Sequence, residues 1–287
     1  MIGRLIDMSY LTTDQLRSIR QTVDHALDRA AGVTLPLFRQ PIEVENKADS
    51  GFDPVTLADR EAEQVLRNLL TQALPHAAFL GEENSKPEKS PAAVAPIELT
   101  EEVQSKLTWV VDPIDGTRAF ITGLPLWGTL VALNNGREVL FGVLDQPWLE
   151  ERFIGYGDHA ERLYKGNSTT LRCRDVRPLN ECIVQTTTPD MFADQPSQRG
   201  FSQVQEQVSM IRYGGDCYAY ALLVMGGIDA VVESGLQPYD IQALIPIVQG
   251  AGGVITNWNG EPCLSGGNVV ASANPPTHEK LLAALNS

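Results

Sequence analysis

Trp109-Val110-Val111-Asp112-Pro113-Ile114-Asp115-Gly116-Thr117 is an apolar run that ends in a carboxylate, turns through Pro113 and presents a second carboxylate at Asp115. Gly116 and Thr117 then open a predicted short helix through Arg118 to Thr122. The stretch sets two hard oxygen ligands side by side and aims unpaired helix-start N–H groups at whatever those ligands hold. Mg²⁺ recruits carboxylates and water, and a helix start suits a phosphate oxygen. Together they describe a metal–phosphate site. The plainer alternative makes Asp115 a helix cap and leaves Asp112 in a turn.

Three further stretches supply acids. In Phe79-Leu80-Gly81-Glu82-Glu83 an apolar strand again delivers carboxylates at its end, after a glycine that allows close approach; Glu82 lies nearer the strand and Glu83 behind it. Adjacent glutamates in a solvated loop are the alternative. In Pro54-Val55-Thr56-Leu57-Ala58-Asp59, Thr56 and Asp59 form a T-x-x-D start to the next helix, which explains both by capping alone. Asp59 can do that and still orient a nucleophilic water. In Gln237-Pro238-Tyr239-Asp240, Asp240 either caps the following helix or completes the metal site from the second half of the chain. Two carboxylates ~4 Å apart repel by about 4 kcal/mol at an effective dielectric near 20. Such a cluster takes up protons or cations. No histidine or cysteine stands among these motifs, so the all-oxygen ligand set favours Mg²⁺ over Zn²⁺.

The 287 residues suit one large domain or two intimately packed ones, and 43% hydrophobic content provides a core. A formal net charge of −14 excludes a nucleic-acid backbone as the main partner, because that binding needs a basic face. Cys173, Cys182, Cys217 and Cys263 lie far apart without ligand spacing and are expected to be free, buried thiols. No secretory signal and no apolar run of the ~18 residues of a membrane span is present, so a soluble, cytoplasmic protein is expected. Helical periodicity predicts helices over 13–31, 58–74, 201–208, 216–225, 240–249 and 276–285. Strands are predicted over 77–80 and 107–111, then as an antiparallel meander over 127–134, 139–144 and 150–155. Further strands are expected at 183–186, 228–233, 253–256 and 269–272, with a surface excursion at 86–106. The division this suggests is an α+β half over 1–160 and an α/β half over 161–287.

Gly81-Glu82-Glu83, the run 109–117 and Asp240 ahead of Ala251-Gly252-Gly253 resemble the inositol monophosphatase superfamily. The resemblance runs from about Lys47 to the C-terminus. It implies an α+β fold, a layered αβαβα sandwich, and Mg²⁺-dependent hydrolysis of small phosphate monoesters by a homodimer, without nucleic acid or membrane as partners. It puts metal ligands at Glu82, Asp112, Asp115, Asp240 and the carbonyl of Ile114, with two or three Mg²⁺ per site. Thr117 and Asp59 fall on the pair that positions the attacking water, Gly116 and Thr117 on the phosphate, and Lys47 and Asp53 on a mobile loop over the site.

Tyr239-Asp240 stands where the family usually has Trp-Asp. With Gly214-Gly215-Asp216-Cys217-Tyr218-Ala219-Tyr220 and Val232-Glu233-Ser234-Gly235, it looks most like the histidinol-phosphate phosphatase branch. The resemblance places Glu233 beside the substrate's alcohol part, and Asp216 is expected at the start of the helix feeding that region. Inositol is neutral, whereas histidinol carries an ammonium and an imidazole, and two carboxylates suit the cationic alcohol better. The expected reaction is L-histidinol phosphate hydrolysis, with inositol 1-phosphate as the competing substrate. A non-catalytic metal-binding regulatory protein is the alternative outside this class, and the presence of both Asp59 and Thr117 speaks against it.

Overall fold

A computed structural model describes residues 11–47, 54–83 and 94–287 of the chain. Helices α1 (Thr13–Leu37) and α2 (Leu57–Ala73) flank a hairpin of β1 (Val44–Asn46) and β2 (Pro54–Thr56). A seven-stranded sheet follows, made of β3 (Ala78–Gly81), β4 (Thr108–Asp115), β5 (Gly128–Asn134), β6 (Val139–Gln146), β7 (Glu151–Tyr156), β8 (His159–Tyr164) and β9 (Asn167–Thr170) in that order. Short helices α3 (Glu101–Gln104) and α4 (Thr117–Thr122) precede and follow β4. The second sheet has five strands, β10 (Ile183–Thr186), β11 (Met210–Tyr213), β12 (Ala230–Leu236), β13 (Val254–Asn257) and β14 (Gly267–Ser272), in the order β11-β10-β12-β14-β13. Between them run α5 (Gln195–Gln207), α6 (Tyr218–Val224), α7 (Pro238–Ile241) and α8 (Leu244–Gly250), and α9 (Pro275–Leu285) closes the chain.

Period-two alternation decides how these elements stack. On β4 and β5, Trp109, Val111, Val131 and Leu133 face α1 and α2, while Val110, Leu130 and Ala132 face α6 and α8. The second sheet packs its other face on α5 and α9 through Val184, Val232, Phe201 and Leu281. The result is the expected αβαβα sandwich.

Local sequence explains the helix starts. Thr12 accepts the Gln15 N–H, and the Gln15 side chain accepts the Thr12 N–H at 2.8 Å, a capping box that starts α1. Ile19, Val23, Ala26, Leu27 and Ala30 then form its buried stripe. The helix runs past the predicted end at residue 31, because Phe38 beyond it is buried against Phe120 and Trp127, with centroids at 5.4 Å in each case. All four cysteines are free and buried, as expected.

Several sequence expectations are corrected. The helix predicted over 240–249 divides into α7 and α8, since Pro246 has no N–H to give to the carbonyl of Gln242. Asp240 accordingly lies inside α7 instead of ahead of a helix. Asp216 is not helical: its φ is 45°, and α6 begins after it. The strand predicted to end at residue 111 continues to Asp115. Helix α5 starts ahead of the predicted residue 201, where Asp194 accepts the Ser197 N–H at 2.7 Å. Strands β8, β9 and β11 had no sequence counterpart, and β8 and β9 carry the first sheet past residue 160 to Thr170. Part of the 86–106 excursion, residues 86–93, lies outside the described residues.

Helix α1 is tied to the sheet by Arg152. Its Nε donates to Asp145 on β6 at 2.8 Å, and its two terminal nitrogens donate to Asp24 and Asp28 on α1 at 2.7 and 2.8 Å. Asp145 is buried, so Arg152→Ala strands a carboxylate and is expected to destabilise the fold by ~3–5 kcal/mol. Urea unfolding checks this; an unchanged midpoint would show that Arg152 carries no such role.

Candidate metal and phosphate site

The β4 end is bent by its own sequence. Asp112 pairs with Leu130 and Asp115 with Gly128, and the register slips between the two pairs. Pro113 has no N–H to continue the ladder. Asp112 Oδ1 accepts the Ile114 N–H at 3.1 Å, and the Thr129 hydroxyl donates to the Pro113 carbonyl at 2.8 Å. The slip brings Asp112 and Asp115 together with Asp240 of α7: one carboxylate oxygen from each lies within 4.8 Å of the others. Asp115 also accepts the Cys217 N–H at 2.8 Å, and Asp240 Oδ2 accepts the Gln237 N–H at 2.7 Å.

Glu82 comes from the end of β3, with its N–H on the Val111 carbonyl at 3.2 Å and its carboxyl in hydrogen-bonding contact with that of Asp112. The Lys47 ammonium donates to Glu82 at 2.8 Å and to Glu83 at 2.7 Å. Burial alone would lower the Lys47 pKa, and these two carboxylates raise it instead. Asp53, expected beside it, lies outside the described residues.

Asp59 is fully buried at the start of α2. Its Oδ2 takes the Thr56 N–H at 2.9 Å and the Thr56 hydroxyl at 2.6 Å. Its Oδ1 lies 3.3 Å from the Thr117 hydroxyl, which is also 3.1 Å from the Ile114 carbonyl. One helix cap and one strand end thus meet over a single hydroxyl, and the capping and water-orienting readings of Asp59 are compatible in space.

Burial dominates the electrostatics. It pushes Asp112 and Asp115 well above the usual carboxylate range, and the neighbouring acids push them further. Glu82 is raised to about 7 by burial, against the pull of Lys47. Asp59 is raised by burial and held back by the Thr56 hydrogen bonds. A buried all-oxygen cluster with a surplus of carboxylates fits a hard divalent cation.

A cleft of about 270 Å³ joins this cluster to Asp216 and Glu233. Gly116, with φ of 84°, lets the two ends approach: a Cβ there would lie 3.1 Å from Asp216 Cβ and 3.3 Å from Trp127 Cα. Glu233 is buried on β12, and its oxygens accept the Thr187 hydroxyl at 2.6 Å and the Tyr220 hydroxyl at 2.8 Å. Burial raises its pKa to about 7 and that of Asp216 to about 6, with Arg118 opposing the latter. Among the described residues no hydrogen bond reaches the Asp216 carboxylate. Thr187 and Tyr220 are given no role in the sequence reading. The signal for Tyr220 was a phenol on the buried side of an apolar helix, where its hydroxyl needs a partner.

Residues 15–287 match the profile of the Inositol monophosphatase family. Over 273 residues the chain is 38% identical to the bifunctional phosphatase IMPL2, chloroplastic, of Arabidopsis thaliana, covering 92% of this chain and 74% of that protein. A histidinol-phosphatase of Chlorobaculum parvum is 30% identical, with 91% and 93% covered. A solved inositol monophosphatase from Zymomonas mobilis superposes with a TM-score of 0.78 at 34% identity, over 96% of this chain and 100% of that one.

The raised carboxylates predict how stability depends on pH. Glu82 titrates near 4.5 when exposed and near 7 here, so the folded state binds more protons across that window. Stability of the protein in EDTA is therefore expected to fall as pH rises from about 4.5 to 7. Mg²⁺ at one hundred times its Kd should restore about 2.7 kcal/mol. Calorimetry with EDTA or MgCl₂ across that window checks both; stability rising with pH in EDTA, or no response to Mg²⁺, would overturn the account.

Proposed function

The chain belongs to the inositol monophosphatase family, a family of metal-dependent phosphatases of small phosphate esters, and from that premise we propose that it hydrolyses L-histidinol phosphate to L-histidinol and phosphate with Mg²⁺. The observation that carries the choice of alcohol is the pair Asp216 and Glu233 lining the cleft beyond the phosphate end. An ammonium and an imidazole offer both carboxylates hydrogen-bond donors, whereas inositol offers neutral hydroxyls. The likeness to a protein named histidinol-phosphatase supports the same reading.

In this mechanism Glu82, Asp112, Asp115, Asp240 and the Ile114 carbonyl, which line one cleft, would hold two or three Mg²⁺. The ions supply positive charge to the phosphate and lower the pKa of the attacking water. Asp59, fixed at Oδ2 by Thr56, turns Oδ1 to Thr117. The pair aligns the water and receives its proton at Asp59, whose raised pKa favours that role. Backbone at Gly116-Thr117 faces a phosphate oxygen. Thr187 and Tyr220 fix Glu233 so that it meets the alcohol part without rearranging.

Two measurements test this. Phosphate release from L-histidinol phosphate and inositol 1-phosphate should favour the first, and Asp216→Asn should cost it about 10–100-fold in kcat/KM while sparing the neutral ester. Preference for inositol phosphate, or equal losses on both, would remove the charge argument. Thr117→Ala and Asp59→Asn should each lower kcat by about 10²–10⁴-fold with Mg²⁺ binding retained. Near-normal kcat in either would sink the water-positioning role.

A further inference from the structure

Glu63 is a fully buried carboxylate that none of the chemistry above uses. It lies one turn beyond Asp59 on α2, so both acids project from the same face of that helix. A buried charge is costly unless specific partners hold it. Glu63 finds one at the end of β3 and another on α2.

Among the described residues β3 is an edge strand, paired with β4. After Gly81 the sheet gives one more bond, from the Glu82 N–H to the Val111 carbonyl at 3.2 Å. The following N–H, that of Glu83, donates to Glu63 Oε2 at 2.7 Å. The same oxygen fills the space beside Gly81, where a Cβ would approach it to 2.3 Å. Arg67, a turn further along α2, brings Nη2 to 3.4 Å from Glu63 Oε1 and lays its guanidinium 4.0 Å from the Phe79 ring on β3. The backbone of Glu82 is thus bracketed, by β4 before it and by α2 after it.

We propose that Glu63 is a positioning residue for the metal site: it fixes the Gly81–Glu83 backbone so that the Glu82 carboxylate is already aimed at Asp112, Asp115 and Asp240. Gly81 follows from this arrangement, because no side chain fits between the strand end and the Glu63 carboxylate. The proposal rests on Glu82 being a metal ligand, so Glu82→Ala serves as its control.

Mg²⁺ binding to the purified full chain, measured by titration calorimetry without substrate, is the test. Glu63→Ala should weaken Mg²⁺ binding by about 10–100-fold, the usual effect of removing a group that orients a ligand. Raising Mg²⁺ should return kcat towards wild type, which a general structural defect would not allow. Glu63→Gln keeps an oxygen for the Glu83 N–H and should recover most of the lost affinity. Should Glu63→Ala not fold, Glu63→Asp retracts the acceptor by one methylene and carries the same expected direction. Wild-type Mg²⁺ affinity in these variants, with binding lost in Glu82→Ala, overturns the positioning role alone. Unchanged affinity in Glu82→Ala overturns the ligand reading and this proposal with it.

Discussion

The carboxylate oxygens of Asp112, Asp115 and Asp240 lie within 4.8 Å of one another, close to Glu82, in a largely buried place. At about 4 Å each such pair repels by about 4 kcal/mol at an effective dielectric near 20. Soft supports would let the acids drift apart. Here β4 is an inner strand, packed by α1 and α2 on one face and by α6 and α8 on the other. The Cys217 N–H pins Asp115, the Gln237 N–H pins Asp240, and the Ile114 N–H pins Asp112. The layered fold opposes the repulsion, and the repulsion it holds in place is what fits the cluster to a cation.

The parts of the site that were legible in the sequence are those whose geometry is fixed within a few residues. An apolar run ending in Asp112-Pro113-Ile114-Asp115 needs no distant partner to place its two acids at a strand end. The Thr56–Asp59 capping box is likewise local, and both of its hydrogen bonds are present. Asp216 was misread because the apolar pattern of α6 continues back through Cys217, while its left-handed backbone is set against Gly116 from another part of the chain. The division between α7 and α8 was hidden because the helical period runs across it; Pro246 was the available signal. Strands β9 and β11 escaped because they are short, exposed edge strands with little buried face to leave an alternation.

Helix α2 shows what a periodicity count passes over. Ala62, Leu66, Leu69, Leu70 and Ala73 make its buried stripe, and Asp59 and Glu63 are buried with them. An acid within an apolar stripe is the visible anomaly, since an unpartnered charge there would be expelled or protonated. For Glu63, Arg67, four residues on, is a partner the sequence offers; the Glu83 N–H at the end of an edge strand belongs to tertiary structure and has no sequence signature. Through these two acids one rigid helix addresses both the hydroxyl of Thr117 and the segment that carries Glu82.

The two ends of the cleft answer to different parts of the fold. Asp112 and Asp115 come from the first sheet, Glu82 from the residue after β3 and Thr117 from the helix after β4, and the chemistry proposed for them concerns phosphate whatever alcohol is attached. Glu233 comes from the second sheet, Thr187 from the residue after β10, Tyr220 from α6, and Asp216 from the turn before that helix. Family membership therefore speaks to the first end more strongly than to the second. At the second end the physical fact is charge: Asp216 and Glu233 each resist ionisation through burial, and Asp216 pushes Glu233 further. Among the described residues, Arg118 opposes this at Asp216, and the Thr187 and Tyr220 hydroxyls soften it at Glu233. A neutral polyol would leave that repulsion in place, whereas a cationic alcohol relieves it on binding, and this difference is the basis of the selectivity argued for the site.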